Sequence, residues 1–156
     1  MKKIIGVLLI VTFLMMGCSY NEPQEKQKDE KQSKIELYSA QDNQLLLTID
    51  DQDTVNKLLN TSDWRILESI SDDLIPEYIM LVYQEETLLY GQNSDEKRDY
   101  ELILTLITYK NSSYIKEIIS GSVVKNIIIP ENELAFYHIA PDAFQENLHE
   151  LILENK

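Results

Sequence analysis

The chain has 156 residues, with 27 Asp and Glu against 14 Lys and Arg, for a formal charge of −13. That balance argues against nucleic acid as a partner and against folding down onto anionic lipid, because like charges repel. A single cysteine leaves no internal disulfide, and 44% hydrophobic residues supply enough apolar surface for a core.

Met1, Lys2 and Lys3 make a short basic start, followed by an apolar run over residues 4–16 that only Gly6 and Thr12 interrupt. The run is 13 residues long, too short for a spanning helix, which needs about 20. A basic stretch, an apolar stretch and a small residue before a cut site are the parts of an export signal. Leu14-Met15-Met16-Gly17-Cys18 resembles the lipobox of bacterial lipoproteins, with Met15 standing where Leu is usual. The resemblance implies cleavage before Cys18, diacyl or triacyl lipid on Cys18, and residence on the outer face of the cell membrane. More than one acyl chain is what stable anchoring requires, since each buried methylene contributes about 0.8 kcal/mol and one chain holds only marginally.

Residues 19–34, SYNEPQEKQKDEKQSK, carry four Lys and four acids and almost no apolar side chains. Such a segment buries too little surface to offset its ordering entropy and reads as a disordered tether. The expected division is therefore 1–17 signal peptide, 18–34 lipidated cysteine and tether, and 35–156 a single domain. The tether is neutral, so the mature charge of −15 falls on residues 35–156, where 23 acids face 8 Lys and Arg.

Period-2 patterns dominate from Ile35 onward. Residues 35–40 and 45–49 flank the polar QDNQ turn and predict a β-hairpin. Asp50 or Asp51 is placed to cap a short helix near 51–60, with Val55, Leu58 and Leu59 as its buried stripe. Strands are expected over 64–70, over 78–83 as a central strand, and over 100–109. In that last segment Tyr100, Leu102, Leu104 and Leu106 alternate with Glu101, Ile103, Thr105 and Ile107. Further strands are expected over 114–119, 123–129 and 134–139, with a charged turn over 91–98. Phe144, Leu148, Leu151 and Ile152 fall at helical spacing in a closing helix near 142–154. Pro141 suits its first turn, and Asp142 with Gln145 has capping-box spacing. The expected fold is α+β: one mostly antiparallel sheet of about 6–8 strands with both helices over one face.

No residue pattern points to catalysis. Cys18 is consumed by the signal, and His138 and His149 lie near no Gly-x-Ser-x-Gly elbow. Zinc would want HExxH or CxxC pairing; the two His are 11 apart, so each reads as a packed or surface histidine. Asp50-Asp51-Gln52-Asp53 and Ser71-Asp72-Asp73 lack the glycine of a calcium loop and read as a helix cap and a loop. A carboxylate pair for glycoside cleavage is defined by its separation in space, which sequence alone does not give. Eight tyrosines fall within 35–156 (38, 78, 83, 90, 100, 109, 114 and 137). Tyrosine suits binding surfaces, but it is also an ordinary strand residue, and core and cross-strand packing is the better account of most of them.

The stretches EYIMLVYQEETLLYG and ELILTLITYKNSSYIKEIISGSVVKNIIIPENELAFYHI resemble the YhfM-like domain of small lipoproteins from Bacillus-type bacteria. The resemblance would span about residues 35–155, its motifs are structural, and it implies no activity. The richness in Ile, Lys, Glu and Asn fits an AT-rich Gram-positive source. The expected function is a non-catalytic binding module at the cell surface, anchored to the membrane through Cys18 and meeting an envelope protein or wall component. A small-ligand or ion receptor is the alternative, and a wall-directed enzyme a third reading. No cofactor and no metal is expected.

Overall fold

A computed structural model describes residues 31–88, 91, 97–123 and 134–155. Cys18 and the signal segment lie outside the described residues, as do most of the charged turn over 91–98 and nearly all of the strand expected over 123–129. Val123 itself stands in a turn.

Among the described residues, seven strands and two helices follow in chain order. They are β1 (Ser33–Ser39), β2 (Leu45–Ile49), α1 (Gln52–Leu58), β3 (Arg65–Leu67), β4 (Pro76–Glu85), β5 (Tyr100–Tyr109), β6 (Tyr114–Ile119), β7 (Ala135–Ile139) and α2 (Asp142–Glu154). The strands form one sheet in the order β2-β1-β4-β5-β6-β7-β3, and every neighbouring pair is antiparallel. The α+β class, the single antiparallel sheet and both helices agree with expectation.

Side chains directly opposite each other on antiparallel strands share a face. Ile35 opposes Val82, Leu37 opposes Met80, and Met80 opposes Leu106. These residues and Ile115 are fully buried and pack in one cluster with Val55 and Leu58 of α1 and Phe144, Leu148 and Ile152 of α2. One sheet face is therefore the core, and the two helices cover it.

Local chemistry fixes the helix ends. The Asp51 side chain accepts from the Thr54 backbone N–H at 2.9 Å and from the Thr54 hydroxyl at 2.7 Å, the N-cap arrangement that satisfies an orphan helix donor. At α2 the N-cap residue is Pro141, with no side-chain cap bond. The capping box is not formed: the Gln145 side chain reaches the Ser112 carbonyl at 3.4 Å instead.

Three of the differences from expectation are informative. β1 takes in Ser33 and Lys34, which composition placed in the tether, because Gln52 pins the strand start. Its side chain accepts from the Ser33 N–H at 3.0 Å and donates to the Ser33 carbonyl at 2.7 Å. The strand expected over 64–70 is only Arg65–Leu67. In β5 the alternation is broken by a bulge: Val82 opposes Leu104 while Tyr83 opposes Leu102, so Ile103 has no partner. Ile103 and Leu104 both pack on the core cluster, and Leu102 crosses to the other face. The Ile103 carbonyl accepts from Ser120 N–H at 3.0 Å, so the bulged carbonyl is not left unpaired.

Candidate functional site: the sheet face away from the helices

Neither helix lies over the second sheet face, and the pairing register sets out its residues. One row crosses six strands: Tyr38, Ile79, Ile107, Lys116, Tyr137 and Leu67. A second runs Glu36, Leu81, Thr105, Ile118 and Ala135. Tyr83 opposes Lys34, Tyr100 opposes Glu85, Tyr109 opposes Pro76, and Tyr114 opposes Ile139. Six tyrosines (38, 83, 100, 109, 114 and 137) thus share this face. Tyr78 belongs to the helix-covered side and packs on the core, and Tyr90 lies outside the described residues. The tyrosines are therefore not mainly core residues: Tyr109 is buried, and the other five on this face are half-buried.

At the β1–β4–β5 end the face is electrostatically complete. Lys34 Nζ donates to Glu36 at 2.9 Å and stands 4.7 Å and 5.4 Å from the centroids of Tyr83 and Tyr100, within cation–π reach of both. The Tyr38 hydroxyl donates to the other Glu36 oxygen at 3.0 Å. The Lys34 hydrogen bond, with help from Tyr38, holds the Glu36 carboxyl below the usual glutamate range. The same carboxylate raises Tyr38, while Tyr83 is raised first by burial and then by the Glu36 charge. Burial also raises Tyr109. These hydroxyls stay protonated at neutral pH and can donate as well as accept.

At the β6–β7–β3 end the arrangement differs. Lys116 Nζ lies 6.0 Å from the Tyr137 ring centroid, and Arg65, opposite Ile139 on β3, is exposed.

The two histidines are held apart in environment. His138 on β7 is only 7% exposed, and its Nε2 stands 2.6 Å from Glu117 Oε2 on β6. The contact lacks the alignment of a hydrogen bond, and Nδ1 has no partner either. The pair is packed beneath Trp64, whose ring meets His138 edge-on at 5.6 Å and Phe144 edge-on at 5.2 Å. His149 is exposed on α2 and borders an open depression of about 330 Å³ that also involves Glu77, Tyr78 and Glu146. A second cleft, of about 190 Å³, lies between the helices beside Lys57, Glu150 and Glu154.

Asp51 acts as the helix cap described above, and Ser71 accepts from the Asp73 N–H at 3.3 Å in its loop. Among the described residues no three of His, Cys, Asp and Glu stand together in a way that could hold a metal ion, and no helix is long and apolar enough to cross a membrane. Sequence reading singled out the tyrosines but passed over Lys34, Arg65 and Lys116. The available signal was period-2 parity, which puts Lys34, Glu36 and Tyr38 on one side of β1 and Lys116 beside Tyr114 on β6. No family model, curated protein or solved structure matches the chain.

Proposed function

We propose that the protein is an envelope lipoprotein, anchored through lipid on Cys18, whose tyrosine-bearing sheet face is a binding surface for a component of the cell envelope. The observation that carries the binding reading is the gathering of six tyrosines on the face that neither helix covers. Tyrosine offers a rigid apolar body with a polar tip at small entropy cost, the combination enriched at binding surfaces. The address rests on the lipobox-like Leu14-Met15-Met16-Gly17-Cys18.

Two measurements test the two halves. Cys18→Ala is expected to move the protein from the membrane fraction to the soluble fraction, or to leave it unprocessed; a variant still cleaved and lipid-anchored overturns the address. For the surface, the Cys18→Ala chain is sedimented with purified cell walls. Tyr83→Ala with Tyr137→Ala is expected to lose sedimentation while His149→Ala keeps it. Equal sedimentation of all three proteins overturns the assignment of the surface.

A further inference from the structure

Charge is segregated across the sheet. The chain is acidic overall, and exposed Asp142, Glu146, Glu150 and Glu154 all belong to α2, on the core side. On the opposite face, the described residues of β5, β6, β7 and β3 include no carboxylate: Glu101 opposes Gln84, and Glu117 opposes Phe136, both turned to the helix side. The cations there are Lys116 and Arg65.

Lys34, at the other end of the face, shows what a satisfied cation looks like in this protein, with a carboxylate at 2.9 Å and two rings around it. Lys116 has only the Tyr137 ring, and the Arg65 side chain has no ion-pair partner among the described residues. Two cations without an ion-pair partner among the described residues, on a stretch of sheet otherwise made of tyrosine, threonine and aliphatic side chains, are complementary to an anion.

The register also sets the spacing of the two cations along the face. Lys116 and Arg65 are two strands apart across the sheet and two residues apart along it, because Lys116 opposes Tyr137 and Arg65 opposes Ile139. Strand spacing makes this about 10 Å by about 7 Å. A chain with repeated negative groups can place one on each cation without drawing the two side chains together over Tyr137. Tyr137 lies between the two cations, and its flat ring suits the C–H surface of a sugar or polyol.

We infer that Arg65, Lys116 and Tyr137 form a binding site for an anionic carbohydrate or polyol polymer, the negative groups pairing with the cations and the backbone of the polymer lying on Tyr137. The inference rests on the proposal that this face is the binding surface and names its ligand class. Phosphate-bearing and carboxylate-bearing polymers share the required chemistry.

The test uses the full chain in a non-ionic detergent with three immobilised polymers: poly(glycerol phosphate), polygalacturonate and neutral dextran. Retention on one or both anionic polymers and not on dextran is expected, and which of the two it is identifies phosphate or carboxylate as the recognised group. Arg65→Ala with Lys116→Ala is expected to weaken that retention by on the order of tenfold or more, and Tyr137→Ala to weaken it as well. Glu146→Gln with Glu150→Gln on α2 is expected to leave it unchanged. Thermal melts of each variant separate lost binding from lost folding, and Arg65→Ala alone, at an exposed position, serves if the double variant melts early. Failure to retain either anionic polymer, equal retention on dextran, or indifference to the Arg65 and Lys116 substitutions overturns the inference. If the tyrosine variants still abolish sedimentation with cell walls in any of those cases, the binding face stands and only its anionic ligand falls.

Discussion

Glu36 holds two donors at once, Lys34 on one oxygen and the Tyr38 hydroxyl on the other. Its carboxyl is depressed below the usual glutamate range, and the sign of the linkage follows. A group with a lowered folded pKa binds protons more weakly folded than unfolded, so its contribution is complete above the unfolded value and disappears as pH falls through the folded one. Glu36→Gln is therefore expected to lower the urea midpoint at pH 7 and to approach wild type in strong acid. Denaturation curves at several pH values check it; a deficit that persists unchanged into strong acid would show that shape, not charge, was lost. Glu117 makes a different kind of contact, close to His138 but poorly aligned. The Glu117–His138 pair was not legible in the sequence, because partners on neighbouring strands meet only once register is known. The Glu36 partners share one side of β1 by period-2 parity, and were missed because composition placed Lys34 in the tether. Asp51 was legible, since a cap and its Thr54 donor are local partners.

The elements themselves were legible wherever a single period ran without interruption. The α2 stripe is the clearest case: Phe144, Leu148 and Ile152 are buried as their spacing requires, while Leu153 is 55% exposed. Leu148→Ala is expected to cost about 2 to 5 kcal/mol and Leu153→Ala well under 1 kcal/mol, read from chemical denaturation; comparable losses would mean that α2 is not docked by this stripe. The hairpin turns were legible too: Asn43 and Asn111 take positive φ values of 55° and 51°, a conformation that asparagine tolerates better than most residues. The β5 bulge was not, because Tyr100, Leu102, Leu104 and Leu106 fit one face perfectly on paper. The interruption comes from pairing with β4, and no window of β5 alone contains it. β3 was overestimated for a related reason. Ile70 suggested a longer strand, but pairing extends only from Arg65 to Leu67 against β7, and Ile66 is left 72% exposed.

At the scale of the molecule, the layered plan follows from apolar residues being distributed on both strand faces while, among the described residues, two helices cover one of them. One face becomes the core, and the other keeps its aliphatic and tyrosine side chains half in solvent, as an antiparallel sheet permits. Expectation placed both helices over one face correctly, but it did not gather six tyrosines on the opposite face, since parity across strands depends on a register that sequence does not supply. High net charge keeps such a surface from self-association by mutual repulsion. Turbidity of the Cys18→Ala chain is expected to peak as pH approaches the sequence pI of about 4.5, where that repulsion vanishes. Ile66→Lys on the short end strand β3 is expected to lower the peak, since a charge on an edge strand discourages edge-to-edge pairing. An unchanged peak would place the association elsewhere on the molecule.

Trp64 gives the molecule an optical property of its own. It is the only tryptophan in the chain, and it is wedged between His138 of β7 and Phe144 in the first turn of α2, immediately before the β3 end strand. Intrinsic emission excited at the indole band therefore comes from a single junction, where strand edge, sheet and helix meet. Unzipping of β3 or lifting of the α2 start would appear in that signal while circular dichroism still registered an intact sheet, and the lag between the two would resolve local opening from global unfolding without any label.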